Sequence, residues 1–364
     1  MDWSESTDEY LKGVYKGGRL TPPTACFDLD HTLVVPKSGR RFPKNRNDWR
    51  WWCKTVPLKL INLVRDGYRI VLVTNQSGLK TEDKRDDWKQ KVRMIASKLG
   101  VPMVVFAVLG SNRYRKPLPT LWEQIKTDHR SFYCGDAAGR EGRVRIIDGK
   151  AIRFKSDFSD TDMTFALNGD VNFVTPDQLF LGYEPLYQLP EPLPLPKFVE
   201  QPVLPYPTHQ KLIMLVGLPA SGKSTISNRL VAESGFPVVR VNRDTLGTDA
   251  RCLKLTRRIL DQGKVPVIDN TNPTVKSREK YLKLADEYGV PTECWKISTP
   301  LEQCWRQNWM RTYLTGQPMV PKVAYHCYRK KYQEPADDEF DTHISILPPV
   351  RLNGYHQFHL PSFG

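Results

Sequence analysis

The chain has 364 residues, with 54 Lys and Arg against 40 Asp and Glu, and a formal net charge of +14. Its 40% apolar share is that of a folding sequence and excludes wholesale disorder. The longest apolar run, Val101–Gly110, falls short of the roughly 18 residues a membrane helix needs, and the acidic start MDWSESTDEY carries no hydrophobic signal core.

The length suggests two domains at about 100–200 residues each. In chain order, the apolar runs Thr24–Leu29, Arg69–Thr74, Val104–Val108 and Ser131–Cys134 predict buried strands. Helical periodicity lies around Val56–Asp66, Lys84–Leu99 and Thr120–Thr127. Eight of the 29 prolines then crowd into Pro185–Pro207. Proline removes donors and favours extended backbone, so this stretch reads as a semi-rigid spacer; a ligand for proline-recognising modules is the alternative. Beyond it, Lys211–Val216, Val238–Val241, Val265–Ile268 and Thr292–Ile297 predict strands, with helices starting at Gly222 and within Ser277–Tyr288. The pattern is α/β, with parallel sheets whose ligands sit at the carboxyl ends of the strands. The expected organisation is a first domain over 1–183, a linker over 184–207 and a second domain over 208–364.

Seven scattered cysteines (26, 53, 134, 252, 294, 304 and 327) form no CxxC pair, which predicts reduced thiols rather than disulfides or a zinc site. The cationic excess suggests a polyanionic partner such as nucleic acid or an anionic surface; mere solubility is the alternative.

Chemistry-bearing motifs fall at the predicted strand ends. Asp28-Leu29-Asp30-His31-Thr32 follows the first strand, and alternation places Asp28 and Asp30 on one face. Two carboxylates together call for a cation or a shared proton, which fits a Mg²⁺ site with one nucleophilic and one acid/base group. A loop with two solvated aspartates is the alternative, and the remaining motifs decide between them. Thr74-Asn75-Gln76-Ser77-Gly78 offers phosphate-binding groups, Arg115-Lys116-Pro117 a lysine, and Cys134-Gly135-Asp136 a further metal ligand.

In the second domain, Gly217-Leu218-Pro219-Ala220-Ser221-Gly222-Lys223-Ser224, followed by Thr225, is a complete phosphate-binding loop between a strand and a helix. Lys223 suits the β/γ-phosphates of ATP and Ser224 suits Mg²⁺. Asp244, in Asn242-Arg243-Asp244, is placed to accept a proton from an acceptor hydroxyl or to cap a helix. Arg251 is a candidate for the transferring phosphoryl group, and Asp269-Asn270-Thr271-Asn272 is a polar cluster at the same edge. Arg306 and Arg311 lie on a predicted lid helix or a solvated helix face. The mixed segment Arg40–Trp52 either guides a single-stranded 3′ end or packs its tryptophans as core. Lys322, Arg329, Lys330 and Lys331 are a second basic patch or a plain exposed face.

The order FDLDHTLV, TNQSG, YRKP, GDAAGR, GLPASGKST, VNRDTLG and DNTNP resembles the eukaryotic polynucleotide kinase 3′-phosphatase family over roughly residues 20–345. That family joins a haloacid-dehalogenase-like (Rossmannoid) phosphatase to a P-loop kinase. The resemblance implies a bifunctional DNA-end-processing enzyme of strand-break repair, removing 3′-phosphates and phosphorylating 5′-hydroxyls. It implies Asp28 as the nucleophile forming an aspartyl-phosphate and Asp30 as the acid/base. Thr74, Asn75 and Lys116 would hold the phosphate. Asp28, the Asp30 carbonyl and Asp136 would hold Mg²⁺, with Asp157 behind them. In the kinase, Asp244 would be the base, with Arg251 and Arg311 acting on the transferring phosphate. His31 stands where most members have glycine, and Trp309 where relatives often have an additional arginine. Roughly 20 residues precede the phosphatase, so no forkhead-associated domain or its partners are expected. A monomer in the nucleus, acting on DNA ends without membrane contact, is expected; RNA ends and a scaffold with a decayed phosphatase site are the alternatives.

Overall fold

Strands apolar on both faces organise each half of the chain. The computed structural model describes residues 1–3, 6–189, 203–346, 358–360 and 363. It separates into two units: residues 1–194 with 311–319 and 356–361, and residues 195–310 with 320–355 and 362–364. The boundary falls inside the proline-rich stretch, of which residues 190–202 lie outside the described residues.

The first unit contains strands β1 (Tyr10–Tyr15), β2 (Thr24–Phe27), β3 (Val34–Val35), β4 (Arg50–Trp51), β5 (Arg69–Asn75), β6 (Met103–Val108), β7 (Phe132–Cys134), β8 (Arg143–Ile147), β9 (Lys150–Phe154) and β10 (Asn172–Val174). Its helices are α1 (Val56–Arg65), α2 (Glu82–Leu99), α3 (Thr161–Asn168) and α4 (Pro176–Leu181). The main sheet has the order β1-β6-β5-β2-β7-β10. All its pairings are parallel except β1 on β6, so one edge departs from the expected parallel sheet. Alternation divides the core. Phe27, Leu72 and Val105 join one cluster, while Cys26, Val71, Val73, Val104 and Phe106 join the other. The predicted helix at Thr120–Thr127 is only a short 3₁₀ turn, Pro119–Glu123. Leu118, Leu121 and Ile125 are all buried, so the apolar spacing that suggested a helix is used to fill the core from a single turn and the loop after it.

The second unit has strands β11 (Leu212–Val216), β12 (Val238–Val241), β13 (Val265–Ile268), β14 (Thr292–Ile297) and β15 (Thr342–Ile346). Its helices are α5 (Lys223–Glu233), α6 (Arg243–Leu246), α7 (Asp249–Asp261), α8 (Val275–Glu287), α9 (Leu301–Thr315) and α10 (Lys322–Lys331). The order β12-β13-β11-β14-β15 is parallel throughout. Parallel pairing turns every carboxyl end the same way, so the phosphate loop after β11 and the polar ends of β12 and β13 share one edge.

All seven cysteines are free thiols, six of them buried. No helix among the described residues is long and apolar enough to cross a membrane.

Candidate active sites

In the first unit, β2 stops at Phe27 because the chain turns at the next residues. His31 has φ 65, a left-handed backbone that glycine adopts more readily. Asp28 and Asp30 are thereby sent to different partners. Lys116, only 3% exposed, donates its three N–H bonds to Asp28 Oδ1, Asp162 Oδ1 and the Tyr133 hydroxyl, each at 2.7 Å. Asp30 instead accepts from Lys91 Nζ and from Gln76 Nε2, both at 2.8 Å.

Carboxylate oxygens of Asp28, Asp136 and Asp162 all lie within 4.8 Å of one another. Three hard oxygen donors beside one lysine suit a divalent cation such as Mg²⁺. The charge imbalance appears in the acidities. Burial pushes the Asp28 carboxyl up to about 7, with Lys116 opposing the rise and Asp162 adding to it. Burial, then the charges of Asp162 and Asp28, hold the Asp136 carboxyl well above its ordinary value. Burial works against the Lys116 charge, yet Asp162 and Asp28 together lift its pKa above that of a free lysine.

Other expected residues take up distinct places. Asn75 donates to the Lys116 carbonyl and accepts from the Lys116 N–H, each at 3.2 Å. Both ends of its amide thus hold the Lys116 backbone in place, and its Nδ2 carries a second N–H besides the one used here. Thr74 is buried and accepts from Gln76 at 3.1 Å. Asp157 accepts from the backbone N–H groups of Ala138 and Arg140 and from the Arg140 and Arg143 guanidiniums. It braces the loop that carries Asp136. Thr32 donates to Asp136 at 3.2 Å.

Sequence reasoning missed Asp162 and Lys91, and it placed Gln76 among phosphate-binding groups where the structure sets it on Asp30. Asp162 lies five residues beyond Asp157, in the first turn of α3, and donations from the Ala137 N–H and Lys116 fix it. A Cβ on Gly135 would come within 2.4 Å of it, so only glycine fits there. Lys91 did leave a signal. It shares the apolar stripe of α2 with Trp88, Val92, Ile95 and Leu99, and a lysine on a buried face needs a carboxylate partner.

In the second unit, Gly222 at φ 101 and Ala220 at φ 55 bend the chain before α5. This backbone turns successive N–H groups inward and aims the helix N-terminus at the loop. Lys223 is buried and donates to the carbonyls of Gly217 (3.0 Å) and Leu218 (2.5 Å) and to Ser221 Oγ (3.2 Å). Burial pushes its ammonium down to about 8. Ser224 donates to Asp269 Oδ2 at 2.8 Å, and Arg240 donates to the same oxygen at 2.6 Å. Asp269 Oδ1 is buried without a hydrogen-bond partner. An orphaned carboxylate oxygen beside the Ser224 hydroxyl fits Mg²⁺. Asp269 ends the apolar strand beside the phosphate loop; the sequence marked it as polar without assigning it a task.

Asp244 is exposed on α6, and Arg251, also exposed, donates to the Leu246 carbonyl at 3.3 Å. Arg311, toward the C-terminal end of α9, donates from its guanidinium to the Pro318 carbonyl at 2.9 Å. Five residues separate it from the buried Arg306, and at about 100° per residue they lie on different helix faces. Trp309 is also buried, packed edge-on against Trp305.

Residues 23–180 match the family described as polynucleotide kinase 3 phosphatase, and residues 212–335 match an AAA domain. A bifunctional polynucleotide phosphatase/kinase of Schizosaccharomyces pombe is 32% identical over 98% of this chain and 86% of the relative. A second relative, from Acanthamoeba polyphaga mimivirus and described as a putative bifunctional polynucleotide phosphatase/kinase, is 32% identical over 93% of this chain and 88% of its own. The chain belongs to the bifunctional polynucleotide phosphatase/kinase family. The polynucleotide 3′-phosphatase of Saccharomyces cerevisiae, 25% identical, spans 43% of this chain and 87% of its own.

Aromatic and basic side chains lie open near the Asp28 loop. Phe158 is 87% and Phe42 70% exposed. The Arg41 guanidinium lies over both rings, at 4.6 Å and 5.3 Å, and the Arg41 carbonyl is 3.1 Å from His31 Nε2. In the segment Arg40–Trp52, Trp49 and Trp52 pack as core, the second of the two readings the sequence allows, while Trp51 is half-buried. On α10, Arg329, Lys330 and Lys331 are exposed and Lys322 is half-buried.

Proposed function

We propose that the first unit removes 3′-phosphates from polynucleotide ends and the second phosphorylates 5′-hydroxyls from ATP, each with Mg²⁺, in the repair of DNA strand breaks. The observation that carries this reading is the triad Asp28, Asp136 and Asp162 beside Lys116, with Asp28 and Asp162 buried and Asp136 half-buried, an arrangement suited to a phosphoryl group and a divalent cation.

Asp28 attacks phosphorus, the bond to the 3′-oxygen breaks, and Asp30 supplies the proton to that oxygen. In the second half-reaction Asp30 takes a proton from the water that splits the aspartyl-phosphate, releasing phosphate and restoring Asp28. The hold of Lys91 and Gln76 on both Asp30 oxygens suits this base form. Thr74 and Lys116 orient the phosphoryl oxygens, and Asn75 positions Lys116. Asp28, Asp136, Asp162 and the Asp30 carbonyl would hold Mg²⁺, which would supply positive charge to the phosphate oxygens.

In the kinase, the backbone of Gly217–Ser224 and Lys223 hold the β/γ-phosphates. Asp244 accepts the proton of the 5′-hydroxyl as its oxygen attacks the γ-phosphorus, and Arg251 stands near for the transferring group. Ser224 and Asp269 would hold the second Mg²⁺. Basic and aromatic side chains around Arg41, Phe42 and Phe158 support single-stranded 3′ ends as substrate. The proposal extends to a nuclear monomer that acts on DNA.

Oligonucleotides carrying either a 3′-phosphate or a 5′-hydroxyl test the assignment, in matched DNA and RNA forms. Asp28→Asn should abolish 3′-phosphate removal and spare the kinase, and Asp244→Asn should do the reverse. Loss of both activities from either change, in a folded protein, would refute two independent sites. Faster turnover of RNA would redirect the reading to RNA ends.

A further inference from the structure

The hairpin β8–β9 leaves the Asp136 loop and returns to it. Its strands pair Arg143 with Phe154, Val144 with Arg153 and Ile146 with Ala151. One face turns inward. There Arg143 and Arg145 donate to Asp177, Arg143 also donates to Asp157, and Ile147 is buried. At the tip, Asp148 accepts from the Lys54 N–H at 3.2 Å. The ribbon is thus fixed at both its root and its tip.

The opposite face is bare. Val144 is 52% and Ile146 53% exposed, and Ala151, Arg153 and, by the same alternation, Lys155 stand beside them in solvent. No carboxylate among the described residues pairs with Arg153 or Lys155, because the inward face already holds Asp157 and Asp177. The root joins the braced loop of Asp136 on one side and continues through Asp157 to the exposed Phe158 on the other.

We propose that this outer face of the hairpin is a docking surface for the polynucleotide strand upstream of its 3′ end. The inference rests on the 3′-phosphatase reading and extends it from the terminal phosphate to the length of strand the enzyme grips. The two cations match the charge of a phosphodiester backbone, and Val144 and Ile146 give sugars and base faces an apolar bed. Five residues per strand span about 16 Å, room for a few nucleotides. A protein partner would also suit the apolar pair but would leave the unpaired cations without a task.

The test uses the full chain and its Arg153→Ala, Lys155→Ala double variant. The substrates are p-nitrophenyl phosphate, a 3′-phosphorylated dinucleotide and 3′-phosphorylated single strands of increasing length. Turnover of the two small substrates should be unchanged, since neither residue touches the reacting atoms. For long strands, KM should rise and the gain from added length should vanish. Each backbone contact contributes about 0.7 to the slope of log affinity against log salt. The slope should therefore fall by about 1.4, close to 7-fold in KM across a fourfold change in salt. Val144→Ser with Ile146→Ser should raise KM for long strands while leaving that slope unchanged. Equal KM and equal slope in the double variant would overturn the proposal. So would an effect confined to the serine pair, since the two cations would then play no part in holding the strand. A parent chain inactive on every 3′-phosphorylated strand would refute the phosphatase reading itself.

Discussion

Asp28→Asn should make the first unit more stable when divalent cations are removed, although it destroys the proposed nucleophile. In the folded chain the Asp28 carboxyl is raised to about 7 from an ordinary 3.8, chiefly by burial. The folded state therefore holds this proton more tightly than the unfolded chain. Below the ordinary value both states are protonated and there is no penalty. As pH rises from there toward about 7, the unfolded chain releases its proton first and the fold loses stability; above that the full penalty applies. At about 1.36 kcal/mol per pH unit, the ceiling is on the order of 4 kcal/mol. Asparagine has nearly the shape of the neutral acid and removes the penalty. For a domain of this size, 1 kcal/mol moves Tm by about 2–4 °C, so the variant should melt roughly 8 °C or more above the parent at about pH 8 in EDTA. Near pH 4 the difference should close. Saturating Mg²⁺ should reverse the order, because the cation stabilises the charged aspartate and not the amide. Thermal unfolding of the two chains in EDTA and in Mg²⁺, across this pH range, measures all three outcomes. An Asp28→Asn chain that melts at or below the parent in EDTA at about pH 8 would refute the reasoning.

Lys91→Met should slow 3′-phosphate removal by about 10–100-fold, as loss of a group that orients a reacting side chain commonly does; Lys91→Arg should recover part of it, and equal rates in all three chains would deny Lys91 its positioning role. Asp269→Asn should reduce the kinase by about 100-fold or more and leave phosphatase rates alone, because only the Ser224 cation site loses a charge. Lys223, held near 8 by burial, must be charged to meet ATP phosphates, so ATP affinity should fall by about tenfold per pH unit above that value. Calorimetry in buffers of different ionisation enthalpy should then detect proton uptake approaching one per ATP, and binding without proton exchange at about pH 9 would contradict it.

Much of both sites was legible because each motif is local. The loop Gly217–Ser224 needs its glycines and its lysine within one turn, so spacing alone reveals it. The pairs Asp28/Asp30 and Thr74/Asn75 follow apolar strands, and parallel pairing delivers strand ends to one edge. His31 is the same kind of case, since a left-handed position beside the nucleophile explains why glycine suits it and histidine strains it. Asp162 and Lys91 were not legible as site residues. Each reaches the centre from a helix surface, and contacts such as Lys116 to Asp162, 46 positions apart, have no local signature.

The sequence by itself therefore determined the α/β class, the succession of phosphatase and kinase motifs, and the residues that meet phosphate through the backbone turns they build. Only the tertiary structure decided which carboxylates gather, that Asp162 joins Asp28 and Asp136, that Asn75 holds the Lys116 backbone, and that Asp157 braces the loop of Asp136. The division has one physical reason. Backbone geometry within a few residues is set by those residues, whereas the charge balance of a buried site is set by side chains brought together from across the fold.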